Sequence, residues 1–320
     1  MPELQPSVTP DEILELLKQQ FKKPILDLVE VKGSPIMRTF SFLVEDQEYL
    51  IRFNNDNMMN SNLPKEKYIW RKLAPAGIPV VQIIQTGRFH GLHFAISPRI
   101  QGQRASELSR KSIENCLPQL VEKLDGLRSF DVSDTTGYGV FDHEGRGTSP
   151  SWSDFLALIS KEEDERDYFG KWYHLFDDTF LELDLFQDLH LRMSNLTDCL
   201  TSERFLVHGN YTLHNILTQS GRVVAILEWL DARYGDFLYD VASLDFWYPW
   251  LGVQDLFLNH YEKCMVRVPF YRERLLCYEY HIALGALRFF AYSRNKESYG
   301  IVRSMILNRI DFSEESSSHH

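Results

Sequence analysis

A predicted β-hairpin in the second half of the chain carries the side chains best suited to chemistry. Two strand-like runs, 215–218 and 223–228, are joined by a turn at 220–221. Continuing the register from that turn places Asn215 and Glu228 at the same end of the hairpin. An amide oxygen beside a carboxylate offers the hard oxygen ligands that Mg²⁺ prefers.

His208 and Asn210 lie in the loop that leads into this hairpin. The loop therefore brings a position that can handle a proton next to a candidate metal site. A proton-handling position beside a metal site is the minimum that phosphoryl transfer requires. The alternative interpretation is an ordinary polar hairpin end without any chemistry.

The same region carries a resemblance to a known family. The run LVHGNYTLHNIL, followed by AILEWLDARYGDFLYDVA, resembles the signature of the aminoglycoside phosphotransferases, and the hygromycin B phosphotransferase type in particular. Further motifs occur in the family's order: RTFSF, GYGVFDHEGRG, SWSDF and FWYPWL. The resemblance implies an α+β fold of the two-lobed protein-kinase type, with a sheet-rich N-lobe and a mainly helical C-lobe. It also implies transfer of a phosphoryl group from ATP or GTP, with Mg²⁺, to a hydroxyl of an aminoglycoside or aminocyclitol.

The resemblance assigns roles by position. Asn210 stands where the family has its catalytic aspartate, and His208 is expected to brace the catalytic loop through hydrogen bonds. Asn215 matches the metal-binding asparagine, and Glu228 stands where the family usually has a metal-binding aspartate.

Six further positions are predicted to contact the nucleotide. Two lie in a turn over the phosphates, two are a cation and the acidic helix residue that pairs with it, and two lie at the hinge between the lobes. They are Gly33, Ser34, Arg52, Glu66, Ser97 and Arg99.

The pairing of Arg52 with Glu66 has support independent of the resemblance. Glu66 shares a helical face with Ile69, Trp70 and Leu73, so its carboxylate points inward and needs a partner. Arg52 lies on a strand and keeps its charge. The alternative places Glu66 at the rim of the apolar stripe.

Two departures from the family pattern fall at the centre of the chemistry. The amide of Asn210 cannot take a proton, although it accepts a hydrogen bond. Because general-base catalysis contributes on the order of 10²–10⁴-fold, we expect turnover to be impaired and binding to be kept. Glu228 keeps the charge and adds one methylene. The alternatives are a catalytically silent nucleotide-binding protein and a hydroxyl kinase of the same fold with another substrate.

The substrate is expected to be a cationic small molecule. Asp231 is placed near it, and Trp247 and Trp250 resemble the substrate wall of the hygromycin type, since aromatic faces stack on sugar rings and attract cations. Packing within a helical core is the alternative for the tryptophans. Asp236 and Asp240 are expected to hold their loop together by hydrogen bonds.

The elements that position these residues follow from periodicity and turn signals. Thr9-Pro10 begins a helix, and a hairpin is predicted over residues 39–53. Residues 1–97 form the expected nucleotide-binding lobe, 98–312 the expected helical lobe, and 313–320 a tail that resembles a tag remnant. The other predicted helices span 65–73, 104–130, 151–168, 176–200 and most of 238–311, and the other predicted strands span 78–86 and 92–97, with 215–218 and 223–228 as one isolated pair.

Composition narrows the class of partner. The chain has 320 residues, of which 44% are hydrophobic, and a net charge of −11 that disfavours nucleic acid. Four cysteines without metal-site spacing indicate reduced thiols in a cytoplasmic protein. No signal peptide or membrane span is expected, and the oligomeric state is left open.

Overall fold

The structure is a computed structural model that describes residues 5–31, 37–55, 63–162 and 170–317, with side chains described up to residue 310. Its first part is rich in sheet. The helix α1 begins with a complete capping box between Thr9 and Glu12, as predicted. The elements of this part are α1 (Pro10–Gln20), β1 (Ile25–Val31), β2 (Arg38–Val44), β3 (Gln47–Asn55), α2 (Leu63–Leu73), β4 (Gln85–Phe89) and β5 (Leu92–Pro98).

The five strands form one antiparallel sheet in the order β1-β2-β3-β5-β4. Alternation along β3 buries Ile51 and Phe53 in the core shared with α1, while Arg52 points to the opposite face. The predicted strand over 78–86 is wrong for most of its length, because β4 begins only at Gln85. Pro79 lacks a backbone N–H and cannot continue a ladder; its carbonyl instead accepts a hydrogen bond of 2.7 Å from Ile226.

The remainder of the chain is mainly helical, as predicted. Several helices are shorter than predicted. The α-helix predicted over 104–130, for example, begins only after the Ser109 cap. The elements are β6 (Gln103–Arg104), α3 (Arg110–Arg128), β7 (Tyr138–Phe141), β8 (Gly147–Ser149), α4 (Trp152–Ala157), α5 (Leu175–Asp178), α6 (Leu183–Asn195), β9 (Phe205–Val207), β10 (Ile216–Gln219), β11 (Arg222–Ile226), β12 (Arg233–Gly235), α7 (Leu238–Trp247), α8 (Val253–Lys263), α9 (Tyr271–Tyr292) and α10 (Lys296–Ser317).

The prediction of one isolated strand pair in this lobe is wrong. The pair β10–β11 is extended by β6 into a three-stranded sheet, and β8-β7-β12-β9 form a second sheet. Five of these additional strands have two to four residues each, which is too short for an alternating pattern to be recognised in a sequence. The second sheet positions candidate site residues, because β9 leads into the loop with His208 and Asn210 and β12 begins shortly after Asp231.

The larger hydrophobic core lies in the helical lobe and also takes in Ile69 and Leu73 of α2. The helix α2 therefore packs against both lobes. All four cysteines, each among the described residues, are free thiols. None of the described helices combines the length and apolar character that crossing a bilayer requires.

Candidate active site

The hairpin β10–β11 has the predicted turn and register. Ser220 and Gly221 adopt φ angles of 50° and 74°, the left-handed conformation that two-residue hairpin turns require. At the open end, the main-chain carbonyl of Asn215 accepts a hydrogen bond of 2.7 Å from the N–H of Leu227. The backbone therefore places Asn215 next to the residue that precedes Glu228.

The imidazole of His208 braces the loop and is fully buried. Its Nε2 lies 2.8 Å from the carbonyl of Leu227, and its Nδ1 accepts from the N–H of Asn210 at 3.3 Å. Burial lowers the pKa of His208 to about 4. His208 is therefore neutral at physiological pH, and both of its nitrogens are occupied by structural hydrogen bonds.

The carboxylate of Asp240 holds the same loop through hydrogen bonds to its main chain. It accepts the N–H groups of His208 and Gly209 at 2.7 and 2.8 Å, so the predicted structural role of Asp240 is confirmed. Burial raises its pKa to about 7, and the two N–H donors oppose that rise. Asp236 likewise bonds to Arg274 and Tyr278 deep in the helical lobe.

Asn210 lies at the partly exposed surface of the loop. Its carbonyl accepts from the amide of Asn215 at 2.9 Å, and its own amide Nδ2 lies 3.4 Å from Oδ2 of Asp231. The structure therefore brings Asn210, Asn215 and Asp231 together.

Gly209 is required where the loop meets the segment that carries Asp231. A Cβ at Gly209 would lie 2.2 Å from the carbonyl oxygen of Asp231, and its φ angle is +82°. Arg233 bonds to both of these backbone segments. Its Nε donates to the Asp231 carbonyl at 2.9 Å, and its Nη2 donates to the Gly209 carbonyl at 3.4 Å. The two backbone segments are consequently fixed relative to each other.

Asn215 and Glu228 have the donor atoms that a Mg²⁺ ion requires. The hydrogen bond from Nδ2 of Asn215 leaves its amide oxygen as the coordinating atom. Glu228 is partly buried in a left-handed conformation, and burial raises its pKa while the charge of Arg52 lowers it. Among the described residues no three His, Cys, Asp or Glu side chains form a metal cluster, so phosphate oxygens would have to complete an octahedron here.

The predicted pair of Arg52 and Glu66 is present and buried. Both guanidinium nitrogens of Arg52 bond to the carboxylate, one of them at 3.2 Å, and the two side chains are only 11% and 5% exposed. Burial lowers the pKa of Arg52, but the carboxylates of Glu66 and Glu228 outweigh it, so the net shift is upward. The charges of Arg52 and of the candidate metal ligand Glu228 therefore act on each other.

Three cations of the site were not found by sequence reasoning. Lys65 is fully buried and donates to the carbonyls of Leu230 and Ala232. Burial lowers its pKa to about 7, opposed by Asp231. Arg104 bonds to the carbonyl of His214, and Arg233 makes the contacts given above. No sequence signal separates these from surface cations, because their acceptors are main-chain carbonyls and all but that of Asp231 are distant in the chain.

Four of the predicted residues lie outside this cluster of contacts. Ser97 is buried on β5, and Arg99 forms an ion pair of 2.5 Å with Glu48 on the surface. Trp247 ends α7, packed edge-on against Phe246. Trp250 is 40% exposed, with the guanidinium of Arg110 at 4.9 Å from its ring.

The predicted phosphate turn is not among the residues that the structure describes. Gly33 and Ser34 fall outside the described residues. Their role remains a prediction from the sequence.

Residues 30–271 match the phosphotransferase enzyme family. The chain is 30% identical over 259 residues to the hygromycin-B 4-O-kinase of Escherichia coli, a match that covers 81% of this chain and 73% of that protein. A thermostable mutant of the aminoglycoside phosphotransferase APH(4)-Ia, in a ternary complex with ADP and hygromycin B, is 26% identical, with a TM-score of 0.76 over 92% of this chain and 96% of that one. Spectinomycin phosphotransferase APH(9)-Ia, at 14% identity and a TM-score of 0.61 over 94% and 93%, shares the fold alone.

A sheet-rich lobe, a helical lobe and a loop–hairpin site between them define a protein-kinase-like fold, which confirms the predicted fold class. The chain belongs to the phosphotransferase enzyme family, and its matched relatives are small-molecule O-phosphotransferases. The resemblance to aminoglycoside phosphotransferases of the hygromycin type is thereby confirmed.

Proposed function

We propose that this protein transfers the terminal phosphoryl group of ATP or GTP to a hydroxyl of an aminoglycoside or aminocyclitol related to hygromycin B. The proposal is supported by a junction of two contacts, Arg52 with Glu66 and Asn215 with Asn210, where the charge of Arg52 also acts on Glu228. Such a junction offers a cation for phosphate oxygens, oxygen ligands for a metal, and an acceptor for a hydroxyl. These are the parts that phosphoryl transfer requires.

Each group has a distinct part in the proposed reaction. Arg52, oriented by Glu66, binds phosphate oxygens of the nucleotide, and Asn215 and Glu228 would hold Mg²⁺. When bound, Mg²⁺ would neutralise charge on the phosphates. Asn210 accepts a hydrogen bond from the acceptor hydroxyl and orients it towards the phosphorus. Since Asn210 takes no proton, turnover is expected to be lower than with an aspartate in its place.

The acidic surface and the partly exposed Asp231 support a cationic acceptor. The proposed acceptor pocket also includes Trp247 and Trp250, whose rings can stack on a sugar or attract an ammonium group. Ser97, near the end of β5, and Arg99, just after that strand, are proposed to lie on the nucleotide side. From the resemblance, Gly33 and Ser34 are proposed to bind the nucleotide phosphates.

Release of ADP in a coupled assay tests the proposal. The unchanged chain and Asn210→Asp are each given Mg²⁺ and ATP or GTP with hygromycin B and a panel of other aminoglycosides. We expect measurable ADP release by the unchanged chain and faster ADP release by Asn210→Asp. Failure of both to turn over any acceptor would contradict the substrate assignment.

The second candidate function is a catalytically silent protein that binds nucleotide. It is favoured by the amide at position 210 and by the longer side chain of Glu228. Calorimetric titration of ATP with and without Mg²⁺ would then show binding while ADP release stays at background. Sustained turnover by the unchanged chain would exclude this function.

A further inference from the structure

The carboxylate of Asp231 lies beside the position where the family signature has an acid and this chain has an amide. Nδ2 of Asn210 donates to Oδ2 of Asp231 at 3.4 Å. This contact has the amide N–H of Asn210 as its donor and the carboxylate oxygen of Asp231 as its acceptor. It also turns the amide so that Oδ1 of Asn210 remains as the acceptor for a hydroxyl.

Asp231 is the group near Asn210 that can take a proton. The described residues that hydrogen-bond to Asn210 are His208, Asn215 and Asp231. His208 has both nitrogens occupied inside the loop, and the amide of Asn215 is not a base. Asp231 is partly exposed.

The backbone fixes the distance between these two side chains. Asp231 ends a 3₁₀ turn, Trp229–Asp231, whose carbonyl is held by Arg233. That carbonyl lies so close to Gly209 that no side chain fits at Gly209. The arrangement of amide and carboxylate therefore comes from packed main chain, which is how positioned catalytic groups are held.

We propose that Asp231 is a catalytic residue that takes up the proton of the acceptor hydroxyl, so that this chain has moved the carboxylate from position 210 to position 231. The inference rests on the proposed function. The hydroxyl oxygen forms a bond to the terminal phosphorus, and the bond between that phosphorus and the bridging oxygen of the nucleotide breaks. The hydroxyl proton is hydrogen-bonded to Oδ1 of Asn210 before the reaction, passes to Oδ1 of Asp231, the oxygen that Asn210 does not contact, and the nucleoside diphosphate leaves.

Exchange of the two side chains tests this inference. The variants are Asp231→Asn, which leaves two amides, Asn210→Asp, and the double variant, which swaps amide and carboxylate. ADP release is measured with Mg²⁺, ATP and hygromycin B, and calorimetry gives the affinity for ATP and for hygromycin B. Thermal unfolding of each variant reports on folding.

For Asp231→Asn we expect kcat to fall about 100-fold or more, in the range of general-base catalysis. Its affinity for ATP should stay within about 3-fold, because Asp231 is proposed to lie on the acceptor side. Its affinity for hygromycin B should fall by a smaller factor than kcat, since the amide keeps the size of the carboxylate but loses its charge. The kcat of the double variant should be at least about 10-fold higher than that of Asp231→Asn, because one of the two positions again carries a carboxylate.

Two results would overturn the inference and leave the proposed function intact. The first is a kcat for Asp231→Asn within about 3-fold of the unchanged chain, which includes the case that neither of these two proteins turns over while Asn210→Asp does. The second is a double variant no faster than Asp231→Asn while binding of hygromycin B is lost, which would make Asp231 a binding group for the cation. Absence of turnover in all variants would overturn both proposals.

Discussion

Nζ of Lys65, on a helix of the sheet-rich lobe, donates a hydrogen bond of 2.8 Å to the main-chain carbonyl of Leu230 in the helical lobe. The same ammonium also bonds to the carbonyl of Ala232 and lies 4.5 Å from the ring centre of Phe141. One buried cation thereby joins α2 to the segment that carries Asp231.

Replacement of Lys65 by Met should lower the free energy of unfolding by about 1–4 kcal/mol. The carbonyls of Leu230 and Ala232 would lose their donor, and each unsatisfied buried acceptor costs about 1–3 kcal/mol, offset in part because a charge is no longer buried. Urea unfolding measures the change. Lys67→Met, which removes only an exposed contact to the Ile84 carbonyl at 3.3 Å, is the matched control and should cost about 0.5 kcal/mol or less.

Replacement of Glu66 by Gln should destabilise the fold by about 3 kcal/mol and weaken ATP binding. It leaves the buried guanidinium of Arg52 without its counter-charge, and breaking a buried pair costs about 3–5 kcal/mol. Urea unfolding and calorimetric titration of ATP measure the two effects.

The surface pair of Glu48 and Arg99 provides the control for that variant. Its side chains are 27% and 41% exposed, so Glu48→Gln should cost less than about 1 kcal/mol. Equal losses for the two glutamine variants would contradict the importance of burial. An unchanged ATP affinity in Glu66→Gln would count against Arg52 as a phosphate ligand.

His208 should make the fold less stable in acid. Its pKa is about 4 in the folded protein, below its ordinary value of 6.5. The unfolded chain therefore binds the proton first, so stability that is present above pH 6.5 is lost as the pH falls towards 4. Between pH 7 and pH 5 the loss from this one group is about 2 kcal/mol.

His208→Gln removes that titration. Urea unfolding at pH 7 and pH 5 should show a decrease about 2 kcal/mol smaller in His208→Gln than in the unchanged chain. His143→Gln, at an exposed position, should retain the full pH dependence. Parallel pH curves for all three proteins would contradict the prediction.

Replacement of Gly209 by Ala should be far more damaging than the same change at Gly221. Both residues have positive φ angles, +82° and +74°, but an added Cβ meets nothing within 4 Å at Gly221. Gly221→Ala therefore isolates the backbone cost of about 1–2 kcal/mol. Gly209→Ala adds the clash with the Asp231 carbonyl and should cost about 4 kcal/mol or more, measured by urea unfolding; equal costs would contradict the close approach.

The parts of the site that the sequence predicted are those determined by local pattern. The turn at Ser220 and Gly221 sets the register of one hairpin, and the register places Asn215 correctly. Alternation along β3 and the periodic face of α2 are enough to bring Arg52 to Glu66. In each case the signal lies within about ten residues.

The parts that were missed depend on contacts between distant segments. Lys65 precedes Glu66 in a helix and resembles any surface lysine until the carbonyls of Leu230 and Ala232 cover it. The contact of Asn210 with Asp231 depends on the pairing of β9 with β12, which are three residues long each. Strands that short have no readable alternation.

Helix α2 carries its two decisive contacts on neighbouring residues. Lys65 holds the helical lobe and Glu66 holds the strand of the other lobe, and adjacent side chains of a helix point about 100° apart. A roll or slide of α2 would therefore disturb both contacts together. The alignment of Arg52 is therefore coupled through one helix to the placement of the segment that carries Asp231.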